Sequence, residues 1–154
     1  MTRKFSTGLR PYPSSIAGSL LAAREAVMAP IRPHLRDANV TEQQWRVLRV
    51  LADADTLDAG SIAEQALLYA PTVTRILKEL GDRKLIERRI DPQDGRRSII
   101  SITAEGERLV AATAAKTKIL LGAYAEVFGE ERLQAFIAEA QAFASALGGF
   151  RPKD

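Results

Sequence analysis

Cysteine is absent from these 154 residues, and there is one histidine, His34. No disulfide, thiol redox switch, cysteine nucleophile or Cys-ligated metal can be built from such a chain. One imidazole likewise leaves no multi-histidine metal site and no triad needing a separate base. Aromatics are sparse, at 6% with a single Trp. No apolar run approaches the ~20 residues of a membrane span, and no signal-peptide pattern opens the chain, so a cytoplasmic location is expected. Neither a paired-carboxylate motif nor a Gly-rich phosphate loop occurs. An enzyme is therefore not expected, and no catalytic residue, metal or cofactor is assigned. What remains is the composition of a folded globular chain, 46% apolar and 27% charged, long enough to bury a core.

A formal charge of +3 says little by itself, but its distribution is uneven. Residues 1–36 carry six bases against one acid, and residues 37–68 carry two against six. Between 69 and 97, eight bases (from Arg75 through Arg96 and Arg97) stand against five acids. A basic stripe in mid-chain is a footprint a polyanion can use, although a solvated face of mixed charge would look the same.

The first dozen residues, with Gly8, Pro11 and Pro13, read as an arm without regular structure. Ser14 or Ser15 can cap a helix carrying Ile16, Leu20, Ala23, Val27, Ile31 and Leu35 at spacings of three and four. Pro30 and Pro33 predict a kink or restart near Ala29 to Arg32. Thr41 and Gln44 form a capping box for a helix whose stripe is Trp45, Leu48 and Leu51. After the polar break at 53–56, Asp58 caps a short helix ending near Leu67, with Ile62 and Ala66 inward. Tyr69 and Ala70 make a tight connection, and Pro71 suits the first turn of a fourth helix ending near Arg83. Residues 85–90 and 98–102 read as two strands around the turn-rich tip 91–97. Thr103 caps a long helix to about Phe128, Gly129 breaks it, and a last helix runs to about Leu147.

A lone hairpin is not a stable sheet and must lean on the helices beside it. Two short helices, a tight turn and a hairpin with a basic tip make a winged helix-turn-helix. The fold class is thus mainly α with a small β-hairpin wing. Long, largely apolar helices at both chain ends need a further partner, and a second copy of the chain is the simplest. The expected organisation is a flexible basic arm over 1–13, an N-terminal dimerisation helix over 14–40, the winged helix-turn-helix lobe over 41–103 and C-terminal dimerisation helices over 104–150.

On the fourth helix Val73, Ile76, Leu77 and Leu80 share one face, while Pro71, Arg75 and Lys78 lie opposite with Thr72 and Thr74 on the flanks. That outer face offers a guanidinium that can fork onto guanine, hydroxyls for phosphate and a flexible cation for the backbone. At the hairpin tip, Asp94 can pin its neighbours' backbone or the Arg96 side chain, directing Arg96 toward a minor groove. Gly95 lets the tip turn tightly, and Arg97 adds a second guanidinium. Double-stranded DNA is the partner these features favour. A winged-helix module for protein or RNA, without duplex specificity, is the alternative.

The stretch from Leu85-Ile86-Glu87-Arg88-Arg89-Ile90 through Asp94-Gly95-Arg96-Arg97 to Ile102-Thr103-Ala104-Glu105-Gly106 resembles the wing signature of MarR-type regulators, as does Thr72-Val73-Thr74-Arg75 on the preceding helix. Upstream, Ala23-Arg24-Glu25-Ala26-Val27-Met28, Arg32-Pro33 and the run Thr41 to Arg49 are similar to the HpaR subgroup, regulators of homoprotocatechuate and related aromatic-acid degradation. The resemblance implies a homodimer, a pseudo-palindromic operator, repression, and release by an aromatic carboxylate. It also implies an effector pocket between the dimerisation helices and the DNA-reading lobe. Candidates from the first two helices are Arg24, able to hold a carboxylate bidentately, Met28 and Trp45 as apolar walls, and His34, Arg46 and Arg49 as further polar groups. Each has a plainer alternative: Trp45 as core, Arg24 paired with Glu25 or a partner's acid, His34 at the surface. For such a regulator, the missing cysteine and lone histidine leave small organic ligands as the signal, in place of oxidants or zinc.

Overall fold

A computed structural model describes residues 8–148; the basic residues Arg3 and Lys4 of the expected arm lie outside that range. A 3-10 turn at Tyr12–Ser14 precedes α1 (Ile16–Met28), α2 (Arg32–Asp37), α3 (Glu42–Ala52), α4 (Ala59–Ala66) and α5 (Ala70–Asp82). Strands β1 (Ile86–Ile90) and β2 (Ser98–Ile102) follow, then α6 (Ala104–Phe128) and α7 (Glu130–Gly148). The chain forms two compact units that divide at Ala114, within α6.

Local chemistry sets most of these boundaries. Ser15 Oγ accepts the Gly18 N–H at 3.1 Å and starts α1. The helix stops at Met28 and α2 restarts at Arg32, bracketing Pro30 as the missing amide requires. Thr41 and Gln44 cap each other reciprocally, Thr41 Oγ1 accepting from the Gln44 N–H at 3.1 Å and Gln44 Oε1 from the Thr41 N–H at 3.0 Å. Asp58 Oδ1 accepts from the Ser61 N–H at 2.8 Å, and Thr103 Oγ1 from the Gly106 N–H at 3.1 Å. Each such cap stabilises its helix by about 1 kcal/mol.

Helix C-termini are less conventional. Asn39, Leu67 and Lys84 all take positive φ, near 53°, 52° and 59°. Each follows a helix end where glycine is the usual residue. The reversal after α5 is closed by Leu85 N–H donating to the Leu80 carbonyl at 3.0 Å.

In the first unit, α3, α4 and α5 bury Leu48, Leu51, Ile62, Val73, Ile76 and Leu80 almost completely, and Ile100 of β2 joins them. The stripe expected on α5 is buried as a set, with Leu77 also inside. β1 and β2 pair antiparallel, Ile86 opposite Ile102 and Arg88 opposite Ile100. Ile100 has a second backbone partner: it exchanges hydrogen bonds with Leu57, at 2.7 and 2.9 Å. Leu57, between the polar break and α4, therefore adds one bridging residue to the sheet, which holds the wing against the lobe. Gly106 permits another close approach, since a Cβ there would lie 2.2 Å from the Leu85 carbonyl oxygen. On α1, by contrast, Ile16, Leu20 and Val27 stay exposed, while Ile31 and Leu35 beyond the break are buried.

In the second unit Gly129 takes φ +95° and separates α6 from α7. Phe128 and Phe136 meet edge to face at 6.4 Å, and the Arg132 guanidinium sits 4.3 Å over the Phe128 ring. Val127, Phe136, Ile137 and Phe143 remain exposed.

Candidate nucleic-acid interface

The outer face of α5 is built as its periodicity requires: inward Val73, Ile76, Leu77 and Leu80 leave Pro71, Arg75 and Lys78 outside. No side chain caps the start of α5, and Pro71 occupies its first turn. Thr74 Oγ1 donates to the Ala70 carbonyl at 3.1 Å, while Thr72 is half-buried. Both cations on this face lie beside acids one turn on. Arg75 Nη1 donates to Glu79 Oε1 at 2.7 Å, and Lys78 Nζ to Asp82 Oδ2 at 2.9 Å. Each pair leaves its cation largely exposed, so phosphate or a base edge can compete for it.

The wing tip turns for a reason other than glycine. Gly95 does not take positive φ, and a Cβ there would meet nothing within 4 Å. The turn is instead fixed by carboxylates: Asp91 Oδ1 accepts from the Gln93 N–H at 2.9 Å, and Asp94 Oδ1 from the Arg96 N–H at 3.0 Å. Asp94 thus pins backbone and leaves the Arg96 side chain exposed, with no hydrogen bond or ion pair among the described residues. Arg97 is placed differently. Its guanidinium binds Asp58 Oδ2, tying the wing to the N-cap of α4. Asp58 is held down to about 2, first by the Ser61 amide and then by Arg97, while the same contact raises Arg97.

The six effector candidates divide. Arg24 is committed to carboxylates, at 3.0 Å from Glu25 and 2.5 Å from Glu42. Arg32, which sequence reasoning passed over, also binds Glu25 at 2.8 Å and shares Glu42. This four-charge cluster joins α1, α2 and α3, and it holds the Glu42 carboxyl below its ordinary range, Arg32 contributing most. Arg46 reaches from α3 to the end of α4, where Nη1 donates to the Ala66 carbonyl at 3.0 Å, and its Nε is buried without a partner. Trp45 is core. Arg49 stays exposed, its guanidinium 5.9 Å from the Trp45 ring centroid and 3.8 Å from Asp53. Met28 and His34 are half-buried. A groove of about 620 Å³ opens elsewhere, between Asn39–Thr41 and the end of α5, where Gln44, Glu79 and Arg83 line it.

A family model described as the MarR family matches residues 40–98, from the start of α3 into the wing. The homoprotocatechuate degradative operon repressor of Escherichia coli is 36% identical over 143 residues, covering 91% of this chain and 94% of that one. This chain belongs to the MarR family. The HTH-type transcriptional regulator FarR of Neisseria gonorrhoeae is 39% identical over 120 residues, covering 78% of this MarR chain and 82% of its own. The crystal structure of NadR in complex with 4-hydroxyphenylacetate superposes with a TM-score of 0.79 at 36% identity, covering 88% of this chain and 96% of NadR. This MarR protein is a winged-helix, DNA-binding transcriptional regulator, and the protein- or RNA-binding alternative gives way to that reading. Among the described residues, no helix is long and apolar enough to cross a membrane.

Proposed function

We propose that this regulator is a cytoplasmic homodimeric repressor without catalytic activity, which grips a pseudo-palindromic operator and lets go when an aromatic carboxylate binds. The α5 faces of two copies enter successive major grooves, where Arg75 reads a base edge while Thr72, Thr74, Lys78 and the Pro71 end of the helix meet the backbone. Arg96 enters the flanking minor groove from a tip held by Asp94, and Arg97 serves the wing by anchoring it to α4. The single observation that carries the DNA reading is this tip, a free guanidinium on a backbone braced by carboxylates. Arm, dimerisation helices and lobe keep the boundaries given above, with α6 and α7 and the exposed stripe of α1 forming the dimer contact.

The relatives' names support the ligand class: one represses a homoprotocatechuate degradative operon, and NadR was solved with 4-hydroxyphenylacetate. Within the chain, Arg49 beside Trp45 is the cation best placed for a ligand carboxylate, because Arg24 and Arg46 already have strong partners. Met28 and His34 would complete the wall. The test is fluorescence anisotropy on a duplex selected by the protein itself. Arg96→Ala weakens that complex and narrows its advantage over random DNA. 4-Hydroxyphenylacetate releases the wild type with a coupling of about 1–3 kcal/mol, roughly 5- to 150-fold. Arg49→Ala keeps the DNA affinity and loses that release. An operator affinity indifferent to the ligand, or to Arg96→Ala at moderate salt, refutes the corresponding half of the proposal.

A further inference from the structure

We propose that Glu79 is a specificity-determining residue: it positions the Arg75 guanidinium for DNA and is itself held in place by the buried amide of Gln44. The inference rests on the reading that Arg75 meets DNA. Three side chains form a line from the core to the surface. Gln44, only 8% exposed, is locked by the capping box of α3, where its Oε1 accepts the Thr41 N–H. Its Nε2 donates to Glu79 Oε2 at 2.9 Å. The other Glu79 oxygen accepts from Arg75 Nη1 at 2.7 Å. Both contacts hold the Glu79 carboxyl below its ordinary range, the Gln44 amide contributing most, so the residue is an anion at neutral pH.

The neighbouring pair of the same spacing shows what is particular here. Lys78 and Asp82 also lie one turn apart, but Asp82 has no further hydrogen bond among the described residues. Among the described residues, only Glu79 carries a fixed point on α3 out to a cation on the reading face. A guanidinium tethered through one Nη1 hydrogen keeps its remaining donors for a base edge, with fewer rotamers to lose on binding. The same carboxylate opposes indiscriminate use of Arg75. On random DNA the Glu79 charge offsets the attraction of Arg75 to a phosphate, whereas at the operator the free donors fork onto a base edge with Glu79 still in place.

The experiment compares the wild type, Glu79→Gln, Arg75→Ala, the double variant and Gln44→Met by anisotropy on selected and random duplexes over a range of KCl. Glutamine at 79 can still accept from Gln44, so the fold is kept, and thermal unfolding checks it. Glu79→Gln should tighten random DNA about three- to tenfold, leave the operator within about twofold, and steepen the salt dependence on random DNA by about one. Gln44→Met should move the same readouts in the same direction, and in the Arg75→Ala background the Glu79→Gln effect should vanish. If the effect persists undiminished in that background, it is a general loss of negative charge and the positioning role is overturned. If Arg75→Ala weakens binding while Glu79→Gln alters neither ratio nor slope, the positioning role is overturned and the DNA reading of Arg75 stands. If Arg75→Ala changes nothing on either duplex, both fall together.

Discussion

Replacing Asp58 separates two jobs that one carboxylate performs. Its Oδ1 caps α4 through the Ser61 amide, and its Oδ2 holds Arg97 of the wing. Its pKa falls from 3.8 to about 2 on folding, with the Ser61 backbone bond the larger cause. At 1.36 kcal/mol per unit that shift corresponds to about 2 kcal/mol, a ceiling because the side chain keeps 24% of its surface in water. The known cost of losing an N-cap, about 0.5–2 kcal/mol, agrees. Asp58→Ala loses both jobs, and should lower the unfolding midpoint of a chain this size by roughly 4–8 °C. Asp58→Asn keeps an N-cap acceptor and loses only the ion pair, whose partner is half-exposed, so it should cost about 0.5 kcal/mol. Arg97→Met should match Asp58→Asn, since both delete the same contact. The sign with pH follows from a depressed folded pKa: the stabilisation is complete above 3.8 and is lost as pH falls through about 2. The wild type's lead over Asp58→Ala should therefore shrink across that interval. Urea unfolding at fixed protomer concentration measures all three variants. An Asp58→Asn as costly as Asp58→Ala would show that the cap contributes nothing, and the reasoning would fail.

Three further outcomes follow from backbone geometry. Gly106→Ala forces a Cβ to within 2.2 Å of the Leu85 carbonyl oxygen and 2.7 Å of Ile102 Cγ1, so it should destabilise by about 2 kcal/mol or more. Gly81→Ala meets nothing within 4 Å and should instead gain about 0.5 kcal/mol from helix propensity, which makes it the control in the same thermal melts. Leu67 is 82% exposed at φ 52°; Leu67→Gly should relieve the left-handed strain and raise stability by about 0.5–1 kcal/mol, and a lower midpoint would show the leucine side chain to be holding something.

How much could be read in advance depended on distance along the chain. The capping box of Thr41 and Gln44, the Asp58 and Thr103 caps, the restart around Pro30 and the inward stripe of α5 each depend on residues three or four apart. The polypeptide's own geometry therefore determines them before any tertiary contact forms. The ends of α4 and α5 are legible near Leu67 and Arg83, but the left-handed backbone at Leu67 and Lys84 is not, because the usual signal, glycine, is absent there. Gly95 misled for the converse reason: a glycine stood at a turn that two aspartates already fixed.

By itself, then, the sequence determined the series of helices, the hairpin, the inward and outward faces of α5, and a chemistry without thiols. Only the tertiary structure decided which charges are free. Arg24, Arg32, Arg46, Arg75 and Arg97 look alike in a list of cations, yet four of them are bound to groups on other elements or one turn away, and a fifth, Arg46, closes the end of a neighbouring helix. Arg96 at the braced tip is left to meet an outside partner, while Arg49 beside Trp45 has only a 3.8 Å contact with the exposed Asp53. The physical reason is that a salt bridge needs two side chains within a few ångströms, and that proximity is created by packing α3, α4, α5 and the wing around one core.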